Sequence, residues 1–233
     1  MQQGSWWRTP KTPSAGAGND QASLSTDATA KWGAGTHHCM RSLDDYLRDA
    51  EHAHGHLCAG QVLGVRMAML GLHKLGIDDP HGKDRKRLVT FVEIDRCVTD
   101  AVALVTGCRL GKRALKFRDW GKVAATFVDV SNGKAIRIAA KESSKSLAKR
   151  MHPEIESKNQ QQMLAYREMA DSDLFTTQWV KVELPPEEFP GYKGGRTVCE
   201  GCGEGINFRR EVRRDGKVLC RACAGDSYYQ PLT

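Results

Sequence analysis

The sequence predicts an α+β domain with a small metal-stabilised module behind it. Three observations carry that expectation: helical periodicity in the first third of the chain, an antiparallel strand pair around Asn132-Gly133, and two C-x-x-C pairs beyond residue 190. At about 150 residues per domain, 233 residues suffice for one or two such units and for a substantial core.

Composition sets the outer limits. The chain is 40% hydrophobic and 27% charged with a mean hydropathy of −0.51, ordinary for a globular protein. No stretch approaches the roughly 18 uninterrupted apolar residues that a membrane helix needs. Residues 1–35 lack the apolar run of a secretory signal, although Arg8, Lys11 and Lys31 add positive charge there. A cytoplasmic location without membrane attachment is expected. The net charge of +7 permits an anionic partner without naming one. In a reducing compartment the eight cysteines read as metal ligands or reactive thiols rather than disulfides.

Residues 1–39 are rich in Gly, Ala, Ser and Thr without periodicity, so a solvated, disordered arm is expected. Met40 opens a segment of different character and reads as an alternative start of translation. A core domain over 40–190 and a zinc module over 191–233 follow. Ser42 is the expected N-cap of a first helix, with Asp44 and Asp45 in its first turn and Leu43, Leu47 and Ala50 on one face. A second helix is expected from Cys58 to Leu75, ended by Gly76. Leu88–Ile94 is β-branched and aromatic, hence a strand. Asp100–Thr106 reads as a short helix closed by Gly107. Lys122–Val130 and Lys134–Ala140 flank Asn132-Gly133, whose positive backbone dihedrals suit a tight antiparallel hairpin. Residues 143–171 are helical with an interruption near Pro153 and a stripe of Met163, Leu164, Tyr166 and Met169. Trp179–Leu184 is the last expected strand of the core, and Pro185, Pro186, Pro190, Gly191, Gly194 and Gly195 form a linker.

Cys199-Glu-Gly-Cys202 and Cys220-Arg-Ala-Cys223 stand 17 residues apart. A two-residue gap turns both thiolates of a pair onto one ion, and two such pairs complete the tetrahedron of a structural Zn2+. The intervening Ile206–Phe208 and Lys217–Leu219 are expected to pair as one hairpin. About forty residues cannot bury enough apolar surface to fold unaided, so the ion would supply the stability. Six cations against five acids leave residues 199–233 with a net charge of only +1, so nucleic acid is not the expected partner.

The densest chemistry lies in Glu51-His-Ala-His-Gly-His-Leu-Cys-Ala-Gly60. An extended chain would point His54, His56 and Cys58 to one side, and a helix would still place His54 and Cys58 on one face. Cys58 falls where the second helix begins, where unpaired amides and the helix dipole favour a thiolate. Cys97 is expected at a strand end beside acids, followed by Asp100 and by Cys108 in Thr106-Gly-Cys-Arg-Leu-Gly-Lys112. His73 and His81 read as an ordinary helix side chain and a surface loop residue.

These blocks carry a family resemblance. His54-Gly-His-Leu-Cys-Ala-Gly60 with Val62-Leu-Gly-Val-Arg-Met67, then Asp95-Arg-Cys-Val-Thr-Asp-Ala101, Thr106–Lys112 and Asp119-Trp-Gly-Lys122, resembles the signature of the FmdE family, named for the formylmethanofuran dehydrogenase with which it is associated. The four-cysteine tail is similar to the zinc finger of many members. Ala59 departs from the pattern, since the family usually has a proline there that would preset the first helical turn. The resemblance spans residues 42–223. It implies a mixed, largely antiparallel sheet similar to a domain of glyceraldehyde-3-phosphate dehydrogenase, a homodimer, and a zinc-associated patch. Carried onto this sequence, the patch is His54, His56, Cys58 and Cys97, with Asp100 and Cys108 nearby.

The chain has neither iron–sulfur cysteine spacing nor a Gly-rich nucleotide motif, so it cannot carry out formylmethanofuran redox chemistry alone. The leading expectation is a zinc-binding accessory protein, linked to molybdopterin or one-carbon enzymes, whose His/Cys cleft takes a metal or small ligand. One alternative is an enzyme in which Cys58 is the nucleophile or a ligand to a water-activating zinc, His54 or His56 the base and Asp100 the orienting acid. The other is a regulator whose zinc module binds nucleic acid or protein.

Overall fold

A computed structural model describes residues 41–232. The expected arm, the Met40 start and His37, His38 and Cys39 lie outside the described residues. Helix α1 (Leu43–His54) begins as expected: the Ser42 hydroxyl accepts the Asp45 N–H at 3.1 Å and the Asp45 carboxylate accepts the Ser42 N–H at 3.2 Å, a reciprocal capping box. Helix α2 (Ala59–Leu75) is buried on nearly every side and ends at Gly76 in the left-handed conformation.

Strand β1 (Leu88–Val92), helix α3 (Cys97–Thr106) and strand β2 (Leu115–Phe117) follow, then β3 (Ala124–Asp129), β4 (Ala135–Ala140), α4 (Ser143–Met151), α5 (Lys158–Glu168), α6 (Asp171–Leu174) and β5 (Phe175–Val180). The five strands order as β2-β1-β3-β4-β5, with β1 and β2 parallel across the α3 connection and the other neighbours antiparallel. This is the mixed, largely antiparallel α+β architecture that the sequence predicts. Alternation divides the sheet. Val92, Phe127, Ile136 and Ile138 face the helices in the main core, while Val89, Val128 and Ala135 form a smaller cluster with Phe91, Val180, Val182 and Leu184.

Two glycines of α2 set the packing distances. A Cβ at Gly71 would lie 2.4 Å from the Phe127 ring, and one at Gly64 would lie 2.5 Å from the Val98 carbonyl oxygen and 2.8 Å from the Ala101 Cβ. The Gly71 contact seats β3 beneath α2, and the Gly64 contact lets α3 lie almost backbone to backbone against it.

Several elements depart from expectation. The last core strand is Phe175–Val180 rather than Trp179–Leu184, because β4 offers six residues and their register runs from Ala140↔Phe175 to Ala135↔Val180. Val182 and Leu184 continue past the sheet into the smaller cluster. Strand β2 has no counterpart among the expected elements, since three residues on a sheet edge carry too little pattern. The β3–β4 connection is not a two-residue Asn-Gly turn. Among its residues only Gly133 has positive φ, at 74°, and the Asp129 carboxylate gathers the Ser131 N–H and hydroxyl and the Asn132 amide into a longer loop. The 143–171 stretch is helical with the expected break around Pro153, as α4 and α5; Met163, Tyr166 and Met169 pack on the core as expected, joined by Gln161 and Ala165, and only Leu164 of the expected stripe is exposed. Cys108 is core, 2% exposed, with its thiol against the Thr90 hydroxyl and the Leu88 carbonyl, and burial pushes that thiol up.

Beyond the linker, β6 (Arg196–Val198) pairs with β7 (Gly205–Asn207), and β8 (Val212–Arg214) pairs with β9 (Lys217–Leu219). The expected pairing of 206–208 with 217–219 is therefore replaced by two separate hairpins. The second turns on Asp215-Gly216, both at positive φ (51° and 76°), the dihedral signature of a two-residue hairpin. Among the described residues no helix is long and apolar enough to cross a membrane.

The core sets its own response to acid and to added volume. Arg87 bridges Asp84 at 2.8 Å and the fully buried Asp129 at 2.6 Å. Burial alone would raise both carboxyls, but the Arg87 hydrogen bonds, joined at each by backbone N–H donors, outweigh it and leave both lowered. A carboxyl lowered by folding stabilises above its unfolded value near ~3.9, and that stabilisation is lost as pH falls through the folded value. Denaturant midpoints should hold through neutral pH and fall below pH about 4, with Asp129→Asn flattening the slope. Gly64→Ala should destabilise by about 3 kcal/mol in denaturant titrations, because the added carbon meets backbone rather than a side chain that can move aside.

Candidate functional site

The site forms where α1 hands over to α2. His54 is the last residue of α1, and Gly55 caps that helix at φ 87°, a conformation that carries little cost only without a side chain. The chain reverses through His56 and Leu57, and Cys58 becomes the N-cap of α2. The segment is neither extended nor helical. That corner nevertheless brings one ligand atom each of His54, His56 and Cys58 within 4.8 Å of one another. The two imidazole centroids lie 4.9 Å apart.

Helix α3 supplies the rest. It begins at Cys97, three residues earlier than expected, so Cys97 opens a helix and does not end a strand. Gly60 leaves room for the approach: a Cβ there would be 3.2 Å from the Cys97 Cβ and 3.7 Å from the Cys58 Sγ. Burial, then the neighbouring Cys58, push the Cys97 thiol up. One turn on, the Asp100 carboxylate sits 3.3 Å from His54 Nδ1. That contact pairs Asp100 with His54. Cys97, expected as a fourth member of the patch, is not among the three clustered ligands, nor are His52 on α1 and Cys108 in the core.

Three residues that the sequence did not single out fix this geometry. Asn159 of α5 accepts the Ala59 N–H at 3.0 Å, occupying the amide next to Cys58. Gln61, 1% exposed, donates to the Cys97 carbonyl at 3.1 Å and ties the starts of α2 and α3 together. Thr99 donates its hydroxyl to the Ile94 carbonyl and closes the turn into α3. All three contacts are long-range or side-chain-to-backbone, which no local spacing reveals.

Two clefts meet at His54 and Asp100. One, of about 490 Å3, sets Arg41, Asp49, His81 and Arg109 beside Tyr46 and Leu104 on its walls. His81 is a surface loop residue as expected, and its ring lies 3.1 Å from the Val105 carbonyl. The other, of about 450 Å3, combines Cys97 and Thr99 with the apolar Val92, Leu110, Leu115 and Phe117.

The C-terminal module brings Cys199, Cys202, Cys220 and Cys223 together, with all four sulfurs within 4.8 Å of one another. Cys202 and Cys220 Sγ are 3.9 Å apart. That matches the ~3.8 Å edge of a tetrahedron with Zn–S bonds of ~2.3 Å. The Cys220 and Gly201 N–H groups donate to Cys199 Sγ at 3.1 and 3.4 Å, and the Cys223 N–H donates to Cys220 Sγ at 3.4 Å. The amide of Cys220 foremost, with those of Cys202 and Gly201, holds the Cys199 thiol down to about 6. Crowding by Cys220, Cys199 and Cys202 pushes Cys223 up to about 12. A donor set of this kind fits one zinc ion.

Fold and site together define a class: an α+β domain with a His/Cys corner between two clefts, followed by a C4-type zinc-finger module. The chain belongs to the FmdE family, whose model, described as "FmdE, Molybdenum formylmethanofuran dehydrogenase operon", matches residues 53–176. Residues 192–229 match the prokaryotic dksA/traR C4-type zinc finger. A tungsten formylmethanofuran dehydrogenase FmdE-like protein from Syntrophus aciditrophicus is similar in structure, with a TM-score of 0.57 and 25% identity over 82% of this chain and 96% of that one. A probable S-adenosyl-L-methionine-binding protein of Archaeoglobus fulgidus is 33% identical over 209 residues, 80% of this chain. The chain spans about half the length of that curated relative, 54%.

Asn159→Ala would leave the Ala59 amide without its partner. It should cost about 1 kcal/mol of stability in thermal or denaturant melts, while the helix content read by circular dichroism stays unchanged.

Proposed function

We propose that the chain is a zinc-binding accessory protein to formylmethanofuran dehydrogenase or related molybdopterin and one-carbon enzymes, with a second metal in the His54–Cys58 corner that presents a small ligand from the adjoining clefts. The observation that carries this reading is the convergence of His54, His56 and Cys58 within 4.8 Å. Imidazole and thiolate donors suit Zn2+ and comparable borderline metals rather than Mg2+ or Ca2+. Three protein ligands leave one position open, as in sites where a metal works on a ligand. Asp100, 3.3 Å from His54 Nδ1, acts through His54 by holding its ring in place.

The four-cysteine module takes a structural zinc in the same proposal and folds around it. A homodimer belongs to it as well. Its support is the outer edge of β5, where the Thr176-Thr-Gln-Trp179 run carries no charge and Trp179 is 59% exposed. A catalytic reading is favoured by one specific contact, the Asp100–His54 pair, which is the arrangement a general base needs next to Cys58.

Metal content of the full chain by mass spectrometry tests the proposal. Two equivalents of zinc are expected for the unaltered protein and one for the His54→Ala/Cys58→Ser variant. Asp100→Asn should retain the second ion with 10- to 100-fold lower affinity, about 1.4–2.7 kcal/mol. A double variant with the same metal content as the unaltered chain would overturn the second site.

A further inference from the structure

The corner holds two thiols where a mononuclear site of this kind needs only one. Cys58 is the N-cap of α2 and Cys97 the first residue of α3, and each is partly exposed. A Cβ at Gly60 would lie 3.2 Å from the Cys97 Cβ and 3.7 Å from the Cys58 Sγ, so the side chain missing there is the space that the two cysteines share. No other pair of core thiols is so placed among the described residues: Cys108, the remaining core cysteine there, is buried behind β1 with its sulfur on Thr90 and Leu88. Both thiols of the pair are partly exposed, and Cys97 lies on the wall of the apolar cleft. Oxidising reagents therefore reach it without unfolding the chain.

We propose that Cys58 and Cys97 form a reversible disulfide, a modification site that switches the His/Cys corner between a metal-binding and a metal-free state. The inference rests on the proposed second metal site for its consequence, but the bond itself does not require a metal. The oxidant is a hydroperoxide. The thiolate of one cysteine attacks the distal peroxide oxygen and the O–O bond breaks, so that alkoxide or hydroxide leaves and takes up a proton. The resulting sulfenic acid is attacked at sulfur by the second thiolate; the S–O bond breaks and water leaves with the second proton. Two thiols and one hydroperoxide give one disulfide, one alcohol (water, when the oxidant is hydrogen peroxide) and one water. Both sulfurs then lose the anionic charge that binds a metal, and only His54 and His56 remain as donors. Two imidazoles do not complete a zinc site.

The switch differs in kind from oxidation of the C-terminal module. There the four sulfurs are mutual neighbours and their loss removes the ion that folds the module. In the corner α2 and α3 are already held by the Gly64–Val98 and Gln61–Cys97 contacts, so the disulfide forms within a folded framework and reduction restores the site.

The test treats the reduced full chain with one equivalent of hydrogen peroxide, followed by blocking of free thiols, trypsin and tandem mass spectrometry. The expected product links peptide 49–66 to peptide 97–109 with the loss of two hydrogens, with fragment ions placing the bond on Cys97 and not on Cys108 of the same peptide. Dithiothreitol should return both peptides to the thiol form, and one equivalent of metal should leave on oxidation and rebind on reduction. In Cys97→Ser, dimedone should trap a sulfenic acid on Cys58. Should that variant misfold, the peptide map of the unaltered chain decides by itself. Recovery of Cys58 and Cys97 as unlinked peptides, with the peroxide consumed by Cys199–Cys223, overturns the proposal. A linked pair in a protein that never held a second metal overturns the metal-binding reading and leaves the disulfide standing.

Discussion

The close approach of α2 and α3 is the constraint on which the rest depends. Two glycines one turn apart, Gly60 and Gly64, remove the side chains that would hold the helices at an ordinary 8–10 Å spacing. Gly64 brings the α3 backbone against α2, and Gly60 lets the Cys97 side chain into the space above Cys58. Both helices then start at the same place, and their N-terminal ends bring two thiols and an acid to the turn that carries two histidines. Dispersion and burial along α2, whose residues are hidden on nearly every side, hold the arrangement.

The site itself is made of residues with little freedom. Gly55 turns the chain so that His54 and His56 come together, Asp100 lies 3.3 Å from His54 Nδ1, and Asn159 and Gln61 tie down the two helix starts. None of these supports is a ligand. Each limits how far a ligand atom can move, which is the condition for a metal site to bind tightly and selectively. The four-cysteine module follows the opposite logic. It has almost no core, only Cys199 and Ile206 being buried, so its sulfur cluster is the structure.

Much of the fold was legible because it rests on local rules. The Ser42 cap, the glycine that ends α2, the β3–β4 pairing and the two cysteine pairs are each encoded within a few residues. Where expectation and structure differ, a distant partner decides the outcome. Asp129, bound to Arg87, draws the Asn132-Gly133 region into a loop around its carboxylate and displaces the tight turn. Strand β5 starts at Phe175 because β4 dictates its register, although Thr176, Thr177 and Gln178 look unremarkable in sequence. Asp215-Gly216 is a turn signal as strong as Asn-Gly, and it pairs Lys217–Leu219 with the adjacent Val212–Arg214 rather than with the more distant Ile206–Phe208.

The sequence by itself determined the inventory: an α+β chain of the FmdE family, a four-cysteine module, and a histidine–cysteine corner between two helices. These follow from periodicity, spacing and capping, which act over one or two turns of chain. Only the tertiary structure decided that Cys97 adjoins Cys58 across Gly60, that Asp100 lies beside His54, and that Cys108 belongs to the core. The reason is physical. Those outcomes turn on how closely two helices pack, and that distance is set by which side chains are missing at the contact, a property of two segments together that neither segment expresses alone.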